Sequence, residues 1–189
     1  MVNAGVFEVP MGTTYRELIE GCAGGVAPGR TIKAYAPSGP AGGYLPASLL
    51  DLPLDWNEMT KAGATVGSGA IVVCDDRACM LDMALNSVRF FRNESCGKCV
   101  PCRTGSTKLA DMIAEWTKGR RGAADLVLYQ ELCHALNMTS ICGLGQVVPE
   151  PIKTVQKHFP EEVEDHLVRK RCAAGVCFPK APAGGNGKG

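Results

Sequence analysis

Three cysteines within twelve residues constrain this chain more than any other feature. The segment ESCGKCVPCRTG (94–105) contains Cys96, Cys99 and Cys102, separated by two successive gaps of two residues. Such gaps allow thiolates from one tight loop to converge on a single centre, which is a common way of holding an iron–sulfur cluster. A cubane cluster takes four thiolates, and no cysteine follows Cys102 where a ferredoxin-type run would continue. The fourth ligand must therefore come from elsewhere in the chain.

Cys142, in TSICGLGQ, is the best candidate for the fourth ligand. Its neighbours Gly143 and Gly145 allow a left-handed or open backbone, which lets N–H groups approach the cluster sulfurs closely. Cys133 competes with it, but this residue falls on the apolar stripe of an expected helix, where a cysteine is more often a small buried hydrophobe.

Two other interpretations of the cysteine loop remain open. Zinc also takes four thiolates, although its structural sites usually pair two separate Cys-x2-4-Cys segments, whereas here three ligands share one loop. The thiols of the loop could also be unligated. Lys98 and Arg103 either offset the negative charge of a cluster or are ordinary solvated charges. The spacing favours the cluster.

Composition favours metal ligation over disulfides for at least some of the ten cysteines. The first twenty residues lack the pattern of a secretory signal, and no run approaches the ~18 apolar residues of a membrane helix. We therefore expect a cytoplasmic protein, in which thiols stay reduced. With 20 Lys and Arg against 19 Asp and Glu, the net charge of +1 gives no reason to expect nucleic-acid or membrane binding.

The chain is expected to fold as an α+β protein in two parts. Residues 1–75 form a small α+β unit, with strands in GVFEVP (5–10), TIKAYAP (31–37) and AIVVC (70–74). Thr14 and Glu17 have the spacing of a capping box, so a short helix begins there. The stretch 37–56 has many glycines and prolines and is expected to be a structured loop.

Residues 76–170 are expected to form a bundle of helices. Leu81, Ala84, Leu85 and Val88 follow the helical period, with Asp75 and Asp76 available as caps, and the helix runs towards Phe91. A second helix contains Leu109 to Trp116 and stops at Gly119, and a third contains Leu126 to Leu136. Pro149 or Pro151, and Pro160, suit the first turns of two further helices. Residues 171–189 form a C-terminal tail, disordered over 181–189.

Cys172 and Cys177 form a second pair in RCAAGVC (171–177). This pair could supply two ligands to a second metal ion, which would be zinc. Its two further ligands would come from His158, His166, Cys74 or Cys79, or from a partner protein. Otherwise Cys22, Cys74 and Cys79 are interpreted as structural thiols.

The cysteine pattern resembles a known family closely. ESCGKCVPCRTG followed by CGLG is similar to the iron–sulfur segment of the NADH-binding flavoprotein subunit of respiratory complex I, which also occurs in diaphorase subunits of NAD-linked hydrogenases and formate dehydrogenases. The first 75 residues are similar to the family's soluble-ligand-binding β-grasp (SLBB) domain. This resemblance implies that Cys96, Cys99, Cys102 and Cys142 ligate one [4Fe–4S] cluster.

The resemblance also implies a role in a multi-subunit oxidoreductase. In the family the cluster takes electrons from FMN, which NADH reduces, and passes them to partner iron–sulfur subunits. The flavin and NADH sites lie in an upstream domain with a glycine-rich loop, and no G-x-G-x-x-G is present here. We therefore expect either a truncated subunit or a split one whose flavin domain is a separate polypeptide. The isolated chain is expected not to be catalytic, and no catalytic residue is assigned.

An alternative function comes from a different class. The chain could be a zinc-stabilised β-grasp module that binds a ligand or a partner without redox activity. The metal content distinguishes the two functions, because the first requires iron and sulfide and the second requires zinc alone.

Overall fold

The computed structural model describes residues 1–178 and shows an α+β fold, as the sequence predicts. A small antiparallel sheet in the first part of the chain is followed by helices. The predicted disorder of 181–189 falls outside the described residues.

The sheet has three antiparallel strands in the order β2-β1-β3. Strand β1 spans Ile32–Pro40, β2 Leu45–Pro46 and β3 Val72–Asp75. In the centre of β1, Tyr35 pairs with Leu45 on one side and with Val73 on the other. The expected strands at 31–37 and 70–74 are therefore present. The stretch 37–56, expected to be a loop, contributes the end of β1 and the whole of β2.

Strand β1 divides two hydrophobic cores because its side chains alternate between the two faces of the sheet. Tyr35 belongs to the first core, where its ring lies 4.9 Å from that of Tyr15. Ala34 and Ala36 belong to the second core, which the helices form. Small side chains on this face allow the helices to pack closely against the sheet.

Seven α-helices are described. They are α1 (Trp56–Lys61), α2 (Met80–Glu94), α3 (Val100–Thr117), α4 (Leu126–Thr139), α5 (Gly143–Val147), α6 (Glu150–His158) and α7 (Pro160–Glu164). Two π-helical turns (Glu17–Cys22 and Asp165–Arg169) and two 3-10 turns (Ala47–Leu49 and Ala123–Asp125) complete the described elements. No helix within residues 1–178 has the length and apolar character needed to cross a bilayer.

Local signals in the sequence located several helix ends correctly. The capping box is formed, since Thr14 N–H donates to Glu17 Oε2 at 2.8 Å and Glu17 N–H donates to Thr14 Oγ1 at 3.1 Å. Pro151 lies in the first turn of α6 and Pro160 begins α7. Helix α3 ends just before Gly119, whose φ of +69° suits a residue without a side chain.

Two further predictions about local structure were wrong. Residues 5–10 (GVFEVP) are not a strand, and Val6 in this segment is fully exposed. Helix α2 begins at Met80 with Cys79 as its N-cap residue, so the two aspartates do not cap it. Asp75 instead accepts a hydrogen bond from the N–H of Arg77, which closes the turn between β3 and the helix.

Helices α3 and α4 are antiparallel and close together. Near the start of α3, a Cβ on Gly105 would lie 2.8 Å from Cδ2 of Leu136, which is near the end of α4. At the other end, the rings of Trp116 and Tyr129 meet edge to face with centroids 5.4 Å apart. Because of this packing, the residues that follow α4 lie near the start of α3.

Candidate metal centres

The three-cysteine loop connects α2 to α3. Cys99 is the N-cap residue of α3, and Cys102 lies in its first turn and is 5% exposed. Cys96 is exposed. Gly97 has a φ of +76°, which a side chain would disfavour, and this turn carries the chain from Cys96 towards the helix.

Hydrogen bonds within the loop fix its shape. Ser95 Oγ lies 3.2 Å from Cys102 Sγ and accepts from the N–H of Gly97 at 3.3 Å. The Arg103 guanidinium donates to the carbonyl oxygen of Gly97, so this side chain braces the loop. Lys98 is exposed.

The CGLG segment packs directly on the three-cysteine loop. Cys142 is the N-cap residue of α5. A Cβ added to Gly145 would lie 2.9 Å from Cβ of Cys102 and 2.5 Å from Oγ of Ser140. Gln146 Nε2 donates to the carbonyl oxygen of Ser140 at 3.1 Å, which holds the segment before Cys142 against α5. Cys142 therefore lies on a segment in contact with Cys102.

A second contact links the same two segments. Hydrogen bonds from the backbone N–H groups of Ile141 and Cys102 lower the pKa of the Cys99 thiol. Ile141 immediately precedes Cys142. N–H groups directed at a thiol favour its thiolate form, which is the form that binds metal.

The two glycines beside Cys142 differ in their roles. The sequence allows a left-handed or an open backbone at both, and since neither has a positive φ, the left-handed form is absent. Gly145 is required by its close approach to Cys102, whereas a Cβ on Gly143 would meet no atom within 4 Å.

Cys133 remains apart as a small buried side chain. It lies on α4, it is 6% exposed, and burial raises the pKa of its thiol to about 12. A thiol that strongly resists ionisation is a poor metal ligand.

Cysteine thiols on two segments in contact are the donor set that an iron–sulfur cluster takes. Around one tetrahedral zinc ion, bonds of ~2.3 Å would bring thiolate sulfurs within ~3.8 Å of each other. Cys96, Cys99, Cys102 and Cys142 do not belong to any group of three or more residues, among 1–178, whose ligand atoms all lie within 4.8 Å of one another. A cubane binds each thiolate through a different iron and so needs a wider arrangement than a single ion.

A second group of ligands converges elsewhere in the molecule. The ligand atoms of Cys79, His166, Cys172 and Cys177 all lie within 4.8 Å of one another. Cys79 Sγ is 3.5 Å from His166 Nε2 and 3.6 Å from Cys177 Sγ. Cys172 is half-buried, and the other three residues are buried.

The sequence indicates only part of this second group. It singles out the pair Cys172 and Cys177, with four residues as possible further ligands. The structure brings Cys79 and His166 to the pair, whereas Cys74 and His158 are not members of the group. Residue type is the only signal in the sequence for Cys79 and His166, since both lie outside the segment that contains the pair.

Hydrogen bonds within the second group shift the pKa values of its side chains. The hydrogen bond with Cys177 is the main cause that lowers the pKa of Cys79, to about 4. Burial opposes a charge on His166, but its hydrogen bonds to Cys79 and to the Glu162 carbonyl outweigh burial and raise its pKa to about 9. The pKa of Cys177 is raised, chiefly by its hydrogen bond to Cys79.

These features define a class of protein: a cysteine-rich helical module packed on a small antiparallel sheet. Residues 82–166, which include Cys96, Cys99, Cys102 and Cys142, match the family model of the NADH-ubiquinone oxidoreductase-F iron–sulfur binding region. Over these residues the chain is similar to the iron–sulfur binding region of this family, as the cysteine pattern implied.

Similar proteins agree with this family. The chain is 39% identical over 93% of its length to the NADP-reducing hydrogenase subunit HndC of Solidesulfovibrio fructosivorans. It is 33% identical over 86% of its length to the F subunit of the NADH-quinone oxidoreductase of Escherichia coli. It spans only 36% and 37% of these two relatives.

A solved structure has the same fold. A chain in the crystal structure of an NAD+-reducing [NiFe]-hydrogenase in the H2-reduced state superposes with a TM-score of 0.78 and 29% identity. The match covers 87% of this protein and 28% of that chain.

Proposed function

We propose that this chain is an electron-transfer module of an NADH-linked oxidoreductase complex. Cys96, Cys99, Cys102 and Cys142 would hold one [4Fe–4S] cluster. The bound cluster would supply a one-electron acceptor and donor between FMN, held outside the described residues, and iron–sulfur centres of partner subunits.

The contact between Gly145 and Cys102 is the observation that carries this proposal. A side chain at Gly145 would collide with Cys102, so the segment with the fourth cysteine packs on the loop with the other three. The N–H of Ile141 on the Cys99 thiol supports the same pairing of segments. Both contacts depend on the antiparallel packing of α3 and α4, so the helices must fold for the four thiols to meet.

The protein's own groups would bind the cluster and shield it from water. Cys102 is buried, and the N–H of Ile141 would donate to the Cys99 sulfur. Hydrogen bonds to thiolate sulfurs raise the reduction potential of a cluster, because they offset its negative charge. The guanidinium of Arg103 adds a positive charge next to the loop while it holds the Gly97 carbonyl.

The larger complex belongs to the same proposal. Relatives named as subunits of an NADH-quinone oxidoreductase and of an NADP-reducing hydrogenase favour a partner complex of one of these kinds. The association with formate dehydrogenase and a location at the cytoplasmic side of a complex remain predictions. We propose that NADH oxidation takes place on residues outside this chain, so FMN titrated into the isolated chain should show no stoichiometric binding.

The division of the chain also remains a proposal. We assign 1–75 to a β-grasp (SLBB-like) domain, 76–170 to the cluster-binding domain and 171–189 to a C-terminal segment. In support, the core around Tyr15 and Tyr35 is built only from residues of the first range. The second core is built mainly from side chains of the helices in the second range.

Anaerobic reconstitution with iron and sulfide tests the cluster. We expect about four irons and four sulfides per chain, a brown colour and an electron paramagnetic resonance signal after reduction. The Cys96→Ser and Cys142→Ser variants should lose the signal, while Cys133→Ala, which removes a buried thiol outside the site, should retain it.

Two outcomes would contradict the proposal. A colourless protein that binds zinc tightly in the three-cysteine loop and takes up no sulfide would favour the zinc-stabilised binding module instead. A full iron and sulfide content in Cys142→Ser together with its loss in Cys133→Ala would reassign the fourth ligand.

A further inference from the structure

We propose that Cys79, His166, Cys172 and Cys177 bind one Zn²⁺ ion in a structural site separate from the iron–sulfur cluster. This site goes beyond the proposed electron transfer, because it uses none of the cluster ligands. Its ligands come from three parts of the chain: the N-cap of α2, the π-helical turn after α7 and the C-terminal segment 171–178.

The distances between the ligand atoms match a tetrahedral zinc site. Zn–S bonds of ~2.3 Å and a Zn–N bond of ~2.0 Å imply edges of ~3.8 Å between sulfurs and ~3.5 Å between sulfur and nitrogen. The corresponding distances are 3.6 Å between Cys79 and Cys177 and 3.5 Å between Cys79 and His166 Nε2. One ion at the centre of the group would reach all four ligands with little movement.

The imidazole of His166 is oriented as a metal ligand. Its Nδ1 lies 2.7 Å from the carbonyl oxygen of Glu162, which can only accept a hydrogen bond, so the proton is assigned to Nδ1. The Nε2 atom then faces the thiols and can present its lone pair. Metal-binding histidines commonly donate their other ring N–H to a carbonyl oxygen in this way.

Ion pairing holds Cys79 in place from the other side. Lys33, in β1, donates to the carbonyl oxygen of Ala78 at 2.6 Å and pairs with the Glu162 carboxylate at 2.6 Å. The same carboxylate accepts from the N–H of Met80 at 3.0 Å. The residues on both sides of Cys79 are therefore fixed by contacts to the sheet and to α7.

The C-terminal segment 171–178 contains no helix or strand and packs on the helical core through Ala174, Cys177 and Phe178. Gly175 N–H donates to the carbonyl oxygen of Cys172, and the turn has a φ of +66° at Gly175. Phe178 has a φ of +58°, a conformation that costs energy for a residue with a side chain. Its ring stacks on that of His166 with centroids 5.4 Å apart. A bond from each cysteine to a metal would provide the energy that keeps this segment folded on the helices.

Other uses of the four residues fit less well. A disulfide needs a sulfur–sulfur distance of ~2.05 Å, much shorter than the 3.6 Å between Cys79 and Cys177. Three cysteines and one histidine form a standard donor set for structural zinc. The protein supplies all four ligands, so no position is left for substrate, and burial of Cys79, His166 and Cys177 agrees with a structural role.

Metal analysis of the anaerobically purified full chain tests this site. We expect about one zinc per chain in addition to iron, and an X-ray absorption spectrum at the zinc edge that fits three sulfurs and one nitrogen. The double variant Cys172→Ser, Cys177→Ser should lose the zinc. Cys74→Ala, which removes a buried thiol outside the group, should retain it.

Separate variants test the two proposed metal centres independently. Cys96→Ser should lose the iron–sulfur cluster and retain zinc, and the double serine variant should show the opposite. If the double variant does not fold, the spectrum of the wild-type protein still decides the ligand set. The proposal is overturned if the wild-type protein supplied with Zn²⁺ binds no zinc, if its spectrum shows four sulfurs, or if mass spectrometry finds a disulfide within the group.

Discussion

A Cβ on Gly145 would lie only 2.9 Å from Cβ of Cys102. This close approach joins the CGLG segment to the three-cysteine loop. The lack of a side chain at position 145 is thus a requirement of the site, since it lets the fourth cysteine approach the other three.

Replacing Gly145 by alanine should therefore impair cluster binding. The added methyl group must displace Ser140 or Cys102, and overpacking of this kind typically costs about 1–3 kcal/mol. We expect a lower iron and sulfide content after reconstitution and a lower free energy of unfolding in urea. Gly143→Ala is the matched control, because its methyl group would meet no atom within 4 Å. Equal losses in both variants would show that the contact with Cys102 is not responsible.

Thr154 joins the sheet region to α6. Its hydroxyl accepts a hydrogen bond from the N–H of Tyr44 at 2.8 Å, across 110 positions of the chain. Thr154→Val would leave that buried N–H without its partner, which costs about 1–3 kcal/mol. Urea unfolding should show this loss, whereas Thr107→Val, on the exposed face of α3, should change stability by about 0.5 kcal/mol or less. Unchanged stability in Thr154→Val would mean that the N–H finds another acceptor.

The capping box predicts a pH dependence of stability. Hydrogen bonds from Thr14 N–H and the Thr14 hydroxyl lower the pKa of Glu17. Because the folded-state pKa is below the unfolded value of about 4.3, Glu17 stabilises the fold above that pH and loses this contribution as the pH falls through the folded-state value.

Urea midpoints of the wild-type protein and Glu17→Gln, measured from neutral to acid pH, test this dependence. The wild-type protein should be the more stable by a constant margin near neutral pH, and the margin should shrink at acid pH. Glu8→Gln is a control for the loss of one negative charge in the same region. A margin that does not change with pH would contradict a role for the Glu17 carboxylate.

Phe178 packs against a glycine at the end of α3. A Cβ on Gly119 would lie 2.5 Å from Cε1 of Phe178, and Gly119 also has a φ of +69°. Gly119→Ala should therefore combine a backbone cost of about 1–2 kcal/mol with displacement of the ring. Gly63→Ala is the control, since Gly63 has a φ of +78° and its nearest atom, on Lys157, lies 3.6 Å away.

The two alanine variants separate the backbone cost from the contact. Gly119→Ala should be the less stable of the two in urea, and only this variant should exchange the Phe178 amide hydrogen faster, because that amide donates to the Thr117 carbonyl oxygen. Equal stability and equal exchange would show that Phe178 does not pack on α3 in solution.

Local sequence determined much of this protein. Apolar residues at helical spacing predicted α2, α3 and α4, and Thr14 with Glu17 predicted a capping box that is formed. These features depend on neighbours within a few residues, so the sequence contains them directly. The cysteine spacing also indicated the resemblance to an iron–sulfur binding region, which the match over 82–166 supports.

Tertiary structure decided the features that depend on distant partners. GVFEVP has the residues of a strand, but a strand forms only when another strand pairs with it, and none does so here within residues 1–178. Cys79 and His166 are 87 positions apart in sequence. They come into contact only because β3, α2 and α7 fold together. The sequence by itself supplied the ligand types and the helices, and the packing of those helices decided which cysteines come together.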